Sequence, residues 1–355
     1  MNQKKITVLI VDDSALIRQM LTSMLQSDPS IEVIGAAPDP LTARKMIKQL
    51  NPDVLTLDIE MPKMDGIAFL EKIMTLRPMP VVMISSLTQE GADIALQALE
   101  IGAVDYVAKP TSDIRVGLES KRAEVISKIK IASKARISGL NPKRTETTKP
   151  PAFENFQTTE QIICIGASTG GVEAIREVVT SLPANSPAVL ITQHMPASFT
   201  SSFADRLNNI SRVTVYEAEQ NQRVLPGHVY IAPGDWHLEL AKSGANYICH
   251  LHDGALVSGH RPSVNVLFES AAKVAGSNAV GVILTGMGRD GAEGLLSLRK
   301  SGAHTIGQDE ASSIVYGMPK AAFELGAVIE QQPLSQITRS IFSSLKAHDV
   351  KAIRV

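Results

Sequence analysis

Residues 162–171 read IICIGASTGG, an apolar run that ends in a turn rich in glycine. A short apolar run predicts a buried strand, and the apolar spacing after the turn predicts a helix. A strand, a turn and a helix in this order form the unit of a parallel α/β sheet. Such a turn can bind a phosphate on helix-start N–H groups, or present the serine of G-x-S-x-G as a nucleophile. Residues 166–170 read GASTG, which makes Ser168 the candidate nucleophile, with a small turn residue as the plain alternative.

The same alternation of strand and helix patterns fills two long stretches of the chain. Residues 5–130 contain five strand–helix units with continuous apolar strands, which predicts a parallel sheet covered on both faces. The chain after residue 160 predicts a doubly wound, mainly parallel α/β domain with one β-hairpin. Between them, Pro, Thr, Lys and Glu occur without apolar periodicity, as in a linker. We therefore predict a first domain at 1–135, a linker at 136–159 and a second domain at 160–355.

Composition and charge narrow the functional classes. The 355 residues carry a net charge of −1, which gives no reason to expect nucleic acid or an anionic membrane as a partner. Cys164 and Cys249 are too few for a disulfide framework, so a reducing compartment, the cytoplasm, is expected. The N-terminus does not read as a signal peptide, and no apolar stretch reaches transmembrane length. We expect a cytoplasmic monomer without membrane insertion.

Acidic residues of the first domain follow predicted strands, at the sheet edge where ligands of parallel α/β domains bind. Asp12 and Asp13 follow the first strand, and Asp58 ends the third. Ser85 and Lys109 end the fourth and fifth strands. One such acid alone could simply cap a helix, but three carboxylates at one edge repel one another unless a cation such as Mg²⁺ lies among them. Asp58 is then a candidate nucleophile for an aspartyl phosphate, with Ser85 and Lys109 holding the phosphoryl oxygens.

Four motifs of the first domain together point to one family. The segments VLIVDDSALIRQML, DVLTLDIEMPKMDG, VVMISS and YVAKP resemble a response-regulator receiver domain over residues 5 to about 130. The resemblance implies a flavodoxin-like fold with strand order 2-1-3-4-5 and phosphoryl transfer from a histidine kinase to Asp58. It also implies that Asp12, Asp13 and Asp58 hold Mg²⁺. The residues that it assigns to the phosphoryl switch are Ser85, Lys109 and Tyr106.

A nucleophilic Ser168 requires a base and an orienting acid. His194 ends the predicted strand at 188–193, which we expect beside the strand before Ser168, so both residues would meet at one sheet edge. Asp290 follows the predicted strand at 279–284 and is the candidate acid. The common role of an aspartate at such a position is to cap the next helix. Together the three positions favour a Ser–His–Asp triad.

Donors for a transition-state oxyanion are predicted from the same turns. The helix that starts near Gly170 offers free N–H groups and the positive end of its dipole. The N–H of Thr169 is one candidate donor of an oxyanion hole, and the N–H of Met287 is a second. His260 and Arg261, in the segment GHRPSVN, are candidates for contact with the substrate.

His250 and His252 alternate on one face of a predicted strand, as a pair of metal ligands would. A protein zinc site needs at least a third ligand, and no residue at suitable sequence spacing supplies one. We interpret the pair as surface residues.

Four motifs of the second domain also carry a resemblance. The segments GASTGG, QHMP, HRPSVN and LTGMGRDG, behind a receiver domain, resemble the chemotaxis protein-glutamate methylesterase family. The chain order serine, histidine, aspartate differs from that of the α/β-hydrolases. The resemblance implies a triad of Ser168, His194 and Asp290, and no cofactor for the esterase chemistry. It implies glutamyl methyl esters of chemoreceptors as substrates, deamidation of certain receptor glutamines, and a receiver that covers the site until Asp58 is phosphorylated.

Two other functional classes fit the sequence less well. A nucleotide-binding second domain would use GASTGG as a phosphate loop, but Ser168 replaces the second glycine of the dinucleotide fingerprint. The acidic residue expected about 20 residues later is replaced by Gln193-His194. A DNA-binding output domain is disfavoured by the near-neutral charge and by the lack of a helix-turn-helix pattern.

Overall fold

The chain folds into two compact units, Met1–Thr145 and Glu146–Val355, each of which is considered by itself. A computed structural model describes most residues of both units. The predicted linker at 136–159 lies almost wholly outside the described residues, so its limits stay a prediction. No helix in the described part is long and apolar enough to span a bilayer. The described ranges are 4–61, 65–86, 89–109, 121–137 and 160–352, without the side chains of 85, 86, 89, 90 and 346–352.

The first unit is a five-stranded parallel sheet of order β2-β1-β3-β4-β5, which confirms the predicted fold and strand order. Its strands are apolar because helices cover both faces, and residues 8–11 of the first strand are fully buried. The strands are β1 (Ile6–Val11), β2 (Ile31–Ala37), β3 (Val54–Asp58), β4 (Val81–Ser86) and β5 (Asp105–Lys109). The helices are α1 (Ala15–Gln26), α2 (Pro40–Leu50), α3 (Gly66–Leu76), α4 (Gln89–Ile101) and α5 (Arg122–Ala132).

Local sequence signals set the ends of these helices, as α2 illustrates. Asp39 precedes the helix, and its carboxylate accepts a hydrogen bond from the Thr42 N–H at 2.9 Å. Pro40 occupies the first helical position, where its missing N–H leaves no intrahelical bond unmade. Asn51 ends the helix in the left-handed conformation at φ 50°. The chain is thereby turned directly into β3.

The second unit is a seven-stranded parallel sheet of order β14-β13-β12-β6-β7-β9-β8 with a separate antiparallel hairpin, β10–β11, as predicted. The strands of this sheet are β6 (Ile162–Ala167), β7 (Ala188–Gln193), β8 (Thr214–Glu217), β9 (His228–Ile231), β12 (Ala279–Ile283), β13 (His304–Gln308) and β14 (Glu330–Gln332), and the hairpin joins β10 (His237–Ser243) to β11 (Asn246–His252). The helices are α6 (Gly171–Thr180), α7 (Ala197–Ile210), α8 (Val264–Val274), α9 (Ala292–Lys300), α10 (Met318–Glu324) and α11 (Leu334–Ala352).

The centre of this sheet brings three strand ends together. β6 lies between β7 and β12, with Ala167 opposite Gln193 and Gly166 opposite Ile283. All three strands are parallel, so the residues that follow them emerge at the same edge. Ser168, His194 and the segment that leads to Asp290 follow β6, β7 and β12 in that order.

Candidate functional site

Ser168 lies in the turn after β6, and its backbone is held by contacts from β7 and from the loop after β12. The Ser168 N–H donates to the Thr285 carbonyl at 3.0 Å, and the Gln193 side-chain amide donates to the Ser168 carbonyl at 3.0 Å. Gly170 then adopts φ 78°, a left-handed conformation that favours glycine, and α6 begins at the next residue. The side chain of Ser168 is half-buried at this edge. Its position is thus fixed by contacts from β7 and from the loop after β12.

His194 and Asp290 form a buried pair at the same edge. The Nε2 atom of His194 lies 2.8 Å from Oδ2 of Asp290. An ionised carboxylate only accepts hydrogen bonds, so in the neutral ring Nε2 carries the proton and Nδ1 keeps its lone pair. Within the described residues, Nδ1 is buried and has no hydrogen-bond partner, so Ser168 does not bond to it in this state. Catalytic hydrogen bonds are often long without substrate.

The alternative role for Asp290 was to cap the helix that follows it. Asp290 does not do so. Gly291 occupies that position, and the Asp290 carboxylate instead receives donors from the start of α8. It accepts from Ser263 Oγ at 2.7 Å and from the Val264 N–H at 2.7 Å. Burial opposes ionisation, but the hydrogen bonds from His194, Ser263 and Val264 outweigh it and hold the pKa of Asp290 below its usual value. The pair is therefore set to keep Asp290 charged.

His260 stacks face to face on His194, a contact that the sequence did not predict. The ring centroids lie 3.7 Å apart and the planes differ by 11°. Burial lowers the pKa of His260 to about 4; the nearby His194 adds to this shift and Asp290 opposes it. His260 is therefore neutral at pH 7. Its predicted contact with substrate stays a prediction.

A pH dependence of stability follows from His260. Its pKa is about 6.5 in an unfolded chain and about 4 in the folded one, so the unfolded state binds more protons between these values. Full stability is present above about pH 6.5 and is lost as the pH falls toward 4. As the pH falls from 7 to 5, we expect the free energy of unfolding of His260→Phe to decrease by about 1 kcal/mol less than that of the native chain. This figure includes a discount for the partial exposure of His260. Equilibrium unfolding followed by Trp236 fluorescence measures this; equal pH slopes for both chains would contradict it.

The predicted oxyanion donors belong to two loops that meet at Ser168. Thr169 is buried next to Ser168, and its carbonyl accepts from Thr285 Oγ1 at 3.0 Å. Met287 is exposed on the loop after β12, directly after Gly286. A Cβ atom at Gly286 would lie 2.8 Å from the Ser168 Cβ atom, so only glycine allows this approach. The loop that carries the Met287 N–H therefore packs against the candidate nucleophile.

Arg261 makes loop contacts that the sequence did not predict. Its Nη1 atom donates to the carbonyls of Asp253 and Gly254, at 2.7 and 2.9 Å. Its Nε atom is buried and has no hydrogen-bond partner within the described part of the chain. The guanidinium thus ties the loop before His260 to the start of α8, and its predicted contact with substrate remains a prediction.

The histidines of the β10–β11 hairpin face Glu239, a cross-strand neighbour that sequence spacing does not reveal. The Nε2 atoms of His250 and His252 lie 3.9 and 3.8 Å from its carboxylate oxygens. The Nδ1 atom of His250 contacts the Gln220 amide nitrogen at 3.4 Å, and that of His252 accepts from the Gly254 N–H. With Nδ1 used as the acceptor, a neutral ring carries its proton on Nε2, which opposes metal binding there. The interpretation of the pair as surface residues stays a prediction.

The first unit brings its three predicted acids together at the edge of its sheet. One carboxylate oxygen from each of Asp12, Asp13 and Asp58 lies within 4.8 Å of the others. Lys109 Nζ lies 2.8 Å from Asp58 Oδ1 and 3.2 Å from Asp12 Oδ2. Burial raises the pKa of Asp58 to about 6; Asp12 adds to this shift and Lys109 opposes it. Burial lowers the pKa of Lys109, but the two carboxylates outweigh it and the net shift is upward.

This acidic cluster, Asp12, Asp13 and Asp58, fits a magnesium ion. All of its donors are carboxylate oxygens, which Mg²⁺ prefers. Asp58 Oδ2 is buried and has no hydrogen-bond partner among the described residues, which is costly for a carboxylate unless a cation or donor approaches. Asp13 is exposed and leaves the cluster open on one side. The residues present can therefore hold Mg²⁺ beside Asp58.

The other predicted switch residues are Tyr106, which the structure describes fully, and Ser85, for which it describes only the backbone. Tyr106 is buried on β5, with Lys128 Nζ 4.8 Å from its ring centroid, and burial raises the pKa of its hydroxyl well above the usual value. The backbone of Ser85 lies in β4 opposite Ala108. The side chain of Ser85 lies outside the described residues, so its predicted role stays a prediction.

Each of the two units matches a known protein family. The family model "CheB methylesterase" matches residues 163–341, and "Response regulator receiver domain" matches residues 8–117. A protein-glutamate methylesterase/protein-glutamine glutaminase of Nitrosomonas europaea is 56% identical, over 99% of this chain and 100% of that protein. One of Cupriavidus pinatubonensis is 55% identical over the full length of both. The Thermotoga maritima CheB methylesterase catalytic domain is 36% identical with a TM-score of 0.51, over 52% of this chain and 99% of that chain.

These matches define a response regulator whose receiver domain is joined to an α/β output domain of the methylesterase type. The chain belongs to the protein-glutamate methylesterase/protein-glutamine glutaminase family. The resemblance carried by the sequence motifs is thereby confirmed, including the receiver fold of the first unit.

Proposed function

We propose that this chain hydrolyses glutamyl methyl esters of chemoreceptors and deamidates receptor glutamines, under control of its receiver domain. One observation carries the proposal: the buried His194–Asp290 pair leaves the Nδ1 lone pair free at the sheet edge that carries Ser168. The chain acts in the cytoplasm, with the domain limits at 1–135, 136–159 and 160–355. Full-length relatives named for both activities support this function.

The reaction proceeds by acyl transfer to Ser168. Nδ1 of His194 removes the Ser168 hydroxyl proton as Oγ attacks the ester carbonyl, and the charged Asp290 stabilises the imidazolium through Nε2. The imidazolium then protonates the methoxide, which leaves as methanol and gives an acyl-serine. Water loses a proton to Nδ1 and attacks the acyl-serine, and the imidazolium then returns this proton to Ser168 Oγ as glutamate is released. Deamidation follows the same steps, with ammonia as the leaving group.

The oxyanion of both tetrahedral intermediates develops beside the start of α6. The N–H groups of Thr169 and Met287 are the donors in this proposal, on the two loops that meet at Ser168. The positive end of the α6 dipole adds to them. One such donor typically contributes about 3–4 kcal/mol to stabilisation of the transition state. The close approach of Gly286 to Ser168 supports this arrangement.

The receiver domain supplies the regulation. Asp12, Asp13 and Asp58 would hold Mg²⁺, which would neutralise charge on the phosphoryl oxygens. The Asp58 carboxylate attacks the phosphoryl group of a histidine kinase, and the histidine leaves. Lys109, already 2.8 Å from Asp58, remains to pair with the phosphoryl oxygens. The changed charge at this edge is the signal to the output domain.

Methanol release from methylated receptors tests the proposed function. The full chain is incubated with membranes that hold receptors methylated with a radiolabelled methyl group, with and without acetyl phosphate and Mg²⁺. We expect volatile radiolabel from the esters, ammonia from unmethylated receptors that retain the glutamines, and faster release with the phosphodonor. Absence of both products with all components present would refute the proposal.

Replacing Asp58 with asparagine separates regulation from chemistry. An amide cannot form the acyl phosphate, so we expect Asp58→Asn to take up no phosphate and its activation ratio with acetyl phosphate to fall to about one. Phosphate-affinity electrophoresis and methanol release measure the two effects. Glu71→Gln, a neutralised acid on the exposed face of α3, is the matched control and should keep both. Full activation of Asp58→Asn would exclude this residue as the switch.

A further inference from the structure

The segment before α8 forms a tight turn that ends at His260. Val257 and His260 exchange two backbone hydrogen bonds, at 3.1 and 2.9 Å. Ser258 and Gly259 between them both have positive φ, 53° and 82°. This pairing with two left-handed residues is the rigid two-residue turn of a β-hairpin. A serine in this conformation is strained, so surrounding contacts must hold the turn.

Contacts on both sides anchor this turn. The side-chain amide of Asn265, in the first turn of α8, donates to Ser258 Oγ at 3.2 Å. Its carbonyl oxygen accepts from the Gly294 N–H at 2.8 Å, so the amide is fixed and buried. After the turn, Arg261 holds the carbonyls of Asp253 and Gly254. The ring of His260 therefore projects from a braced segment.

The anchored ring of His260 lies against the face of the His194 ring and restricts its orientation. Asp290 contacts only one edge of the His194 ring, at Nε2, and a single edge contact leaves the ring free to rotate about that hydrogen bond. A parallel ring 3.7 Å away blocks this rotation. The direction of Nδ1, the atom that must face Ser168, is thus fixed by two contacts at right angles: a hydrogen bond in the ring plane and a stack above it.

The charge of His260 suits this position. A neutral His260 does not repel the imidazolium that forms on His194 when it accepts the Ser168 proton, whereas two cations this close would repel strongly. The face of a neutral aromatic ring attracts a cation. Burial and the neighbouring His194 both keep His260 neutral.

We propose that His260 is a positioning residue: its stacked ring fixes the plane of His194 so that Nδ1 points to Ser168. This role rests on the proposed esterase function and requires the ring of His260, not its nitrogen atoms. It therefore differs from a contact with substrate, which would use the nitrogen atoms.

Steady-state methanol release by four variants of the full chain tests this role. His260→Ala removes the ring, His260→Phe keeps a planar ring without nitrogen, and His260→Leu fills the space without a plane. His228→Ala is the matched control, because His228 also stacks on an aromatic ring, Tyr216, but lies at the start of β9, at the opposite sheet edge. We expect about a 100-fold lower kcat for His260→Ala and His260→Leu with little change in KM, near-native kcat for His260→Phe, and no effect of the control.

The outcomes separate the role of His260 from the function itself. If His260→Phe is as slow as His260→Ala, a ring nitrogen acts directly and the positioning role is wrong. Native kcat in both His260→Ala and His260→Leu also overturns it. Should His260→Ala fail to fold by circular dichroism, the comparison of Phe with Leu decides, since both fill the space. If the native chain releases no methanol, the proposed function fails instead, whatever the His260 variants do.

Discussion

Replacing Ser168 with alanine is expected to lower kcat for methanol release about 10⁶-fold, to the level left by binding and the oxyanion donors. The loss is this large because alanine removes the attacking oxygen, and His194 then has no proton to accept. Deamidation should fall by the same factor, since both reactions pass through the same acyl-serine. Radiolabelled methanol and released ammonia measure the two rates on one preparation.

The control for this variant is a second serine of the same unit. Ser297 is exposed on α9, and its hydroxyl donates only to the Glu293 carbonyl of its own helix, so Ser297→Ala should retain native rates. A fluorophosphonate should label the native chain at Ser168 and leave Ser168→Ala unlabelled, while phosphorylation at Asp58 continues in both. Methanol release by Ser168→Ala at a rate near native would rule out Ser168 as the nucleophile.

The variant Asp290→Asn is expected to lower kcat about 10⁴-fold with little change in KM. The asparagine carbonyl takes the position that accepts from His194 and from the Val264 N–H, and its amide turns to Ser263 Oγ. The negative charge is then lost, and the imidazolium that forms when His194 accepts the Ser168 proton is no longer stabilised. The variant should also unfold more easily, because the Asp290 carboxylate accepts from the Val264 N–H at the start of α8.

Kinetics and stability distinguish these two effects of Asp290. Asp205→Asn, an exposed aspartate on α7, serves as the control for charge and should change neither. If Asp290→Asn is folded at the assay temperature, its low kcat reports the lost stabilisation of the His194 imidazolium. A kcat within tenfold of the native value would show that Asp290 does not orient the base.

The parallel sheets and the meeting of site residues were predictable because both follow from local patterns, whereas the strand order 2-1-3-4-5 was implied by the resemblance to receiver domains. Continuous apolar strands separated by amphipathic helices require a parallel sheet, and parallel strands place Asp12, Asp58 and Lys109 at one edge. The same reasoning put Ser168 and His194 side by side. The structure bears out these placements with the register of β6 against β7 and of β1 against β3, and with the contacts of Lys109 to Asp12 and Asp58.

The partners of His194 and Asp290 were not predictable in the same way. The stacking of His260 on His194 depends on a turn with two left-handed residues, one of them a serine, which carries no strong sequence signal. The hydrogen bonds from the start of α8 to Asp290 join residues 25 to 27 apart in sequence. Glu239 faces His250 only because the hairpin register sets them opposite each other. Such contacts are fixed by tertiary packing rather than by local propensity.

The Asp290 carboxylate binds the first turn of α8 and also orients His194. The same group therefore contributes to both the folding and the reactivity of the chain. A chain in which α8 has not yet docked lacks the donors that hold this carboxylate in place, so it also lacks an oriented base. Newly made or partly unfolded molecules would then be inert toward esters rather than weakly active. For an enzyme that resets a sensory signal, this ties the onset of hydrolysis to completion of the native fold, and damaged copies fall silent instead of acting without control.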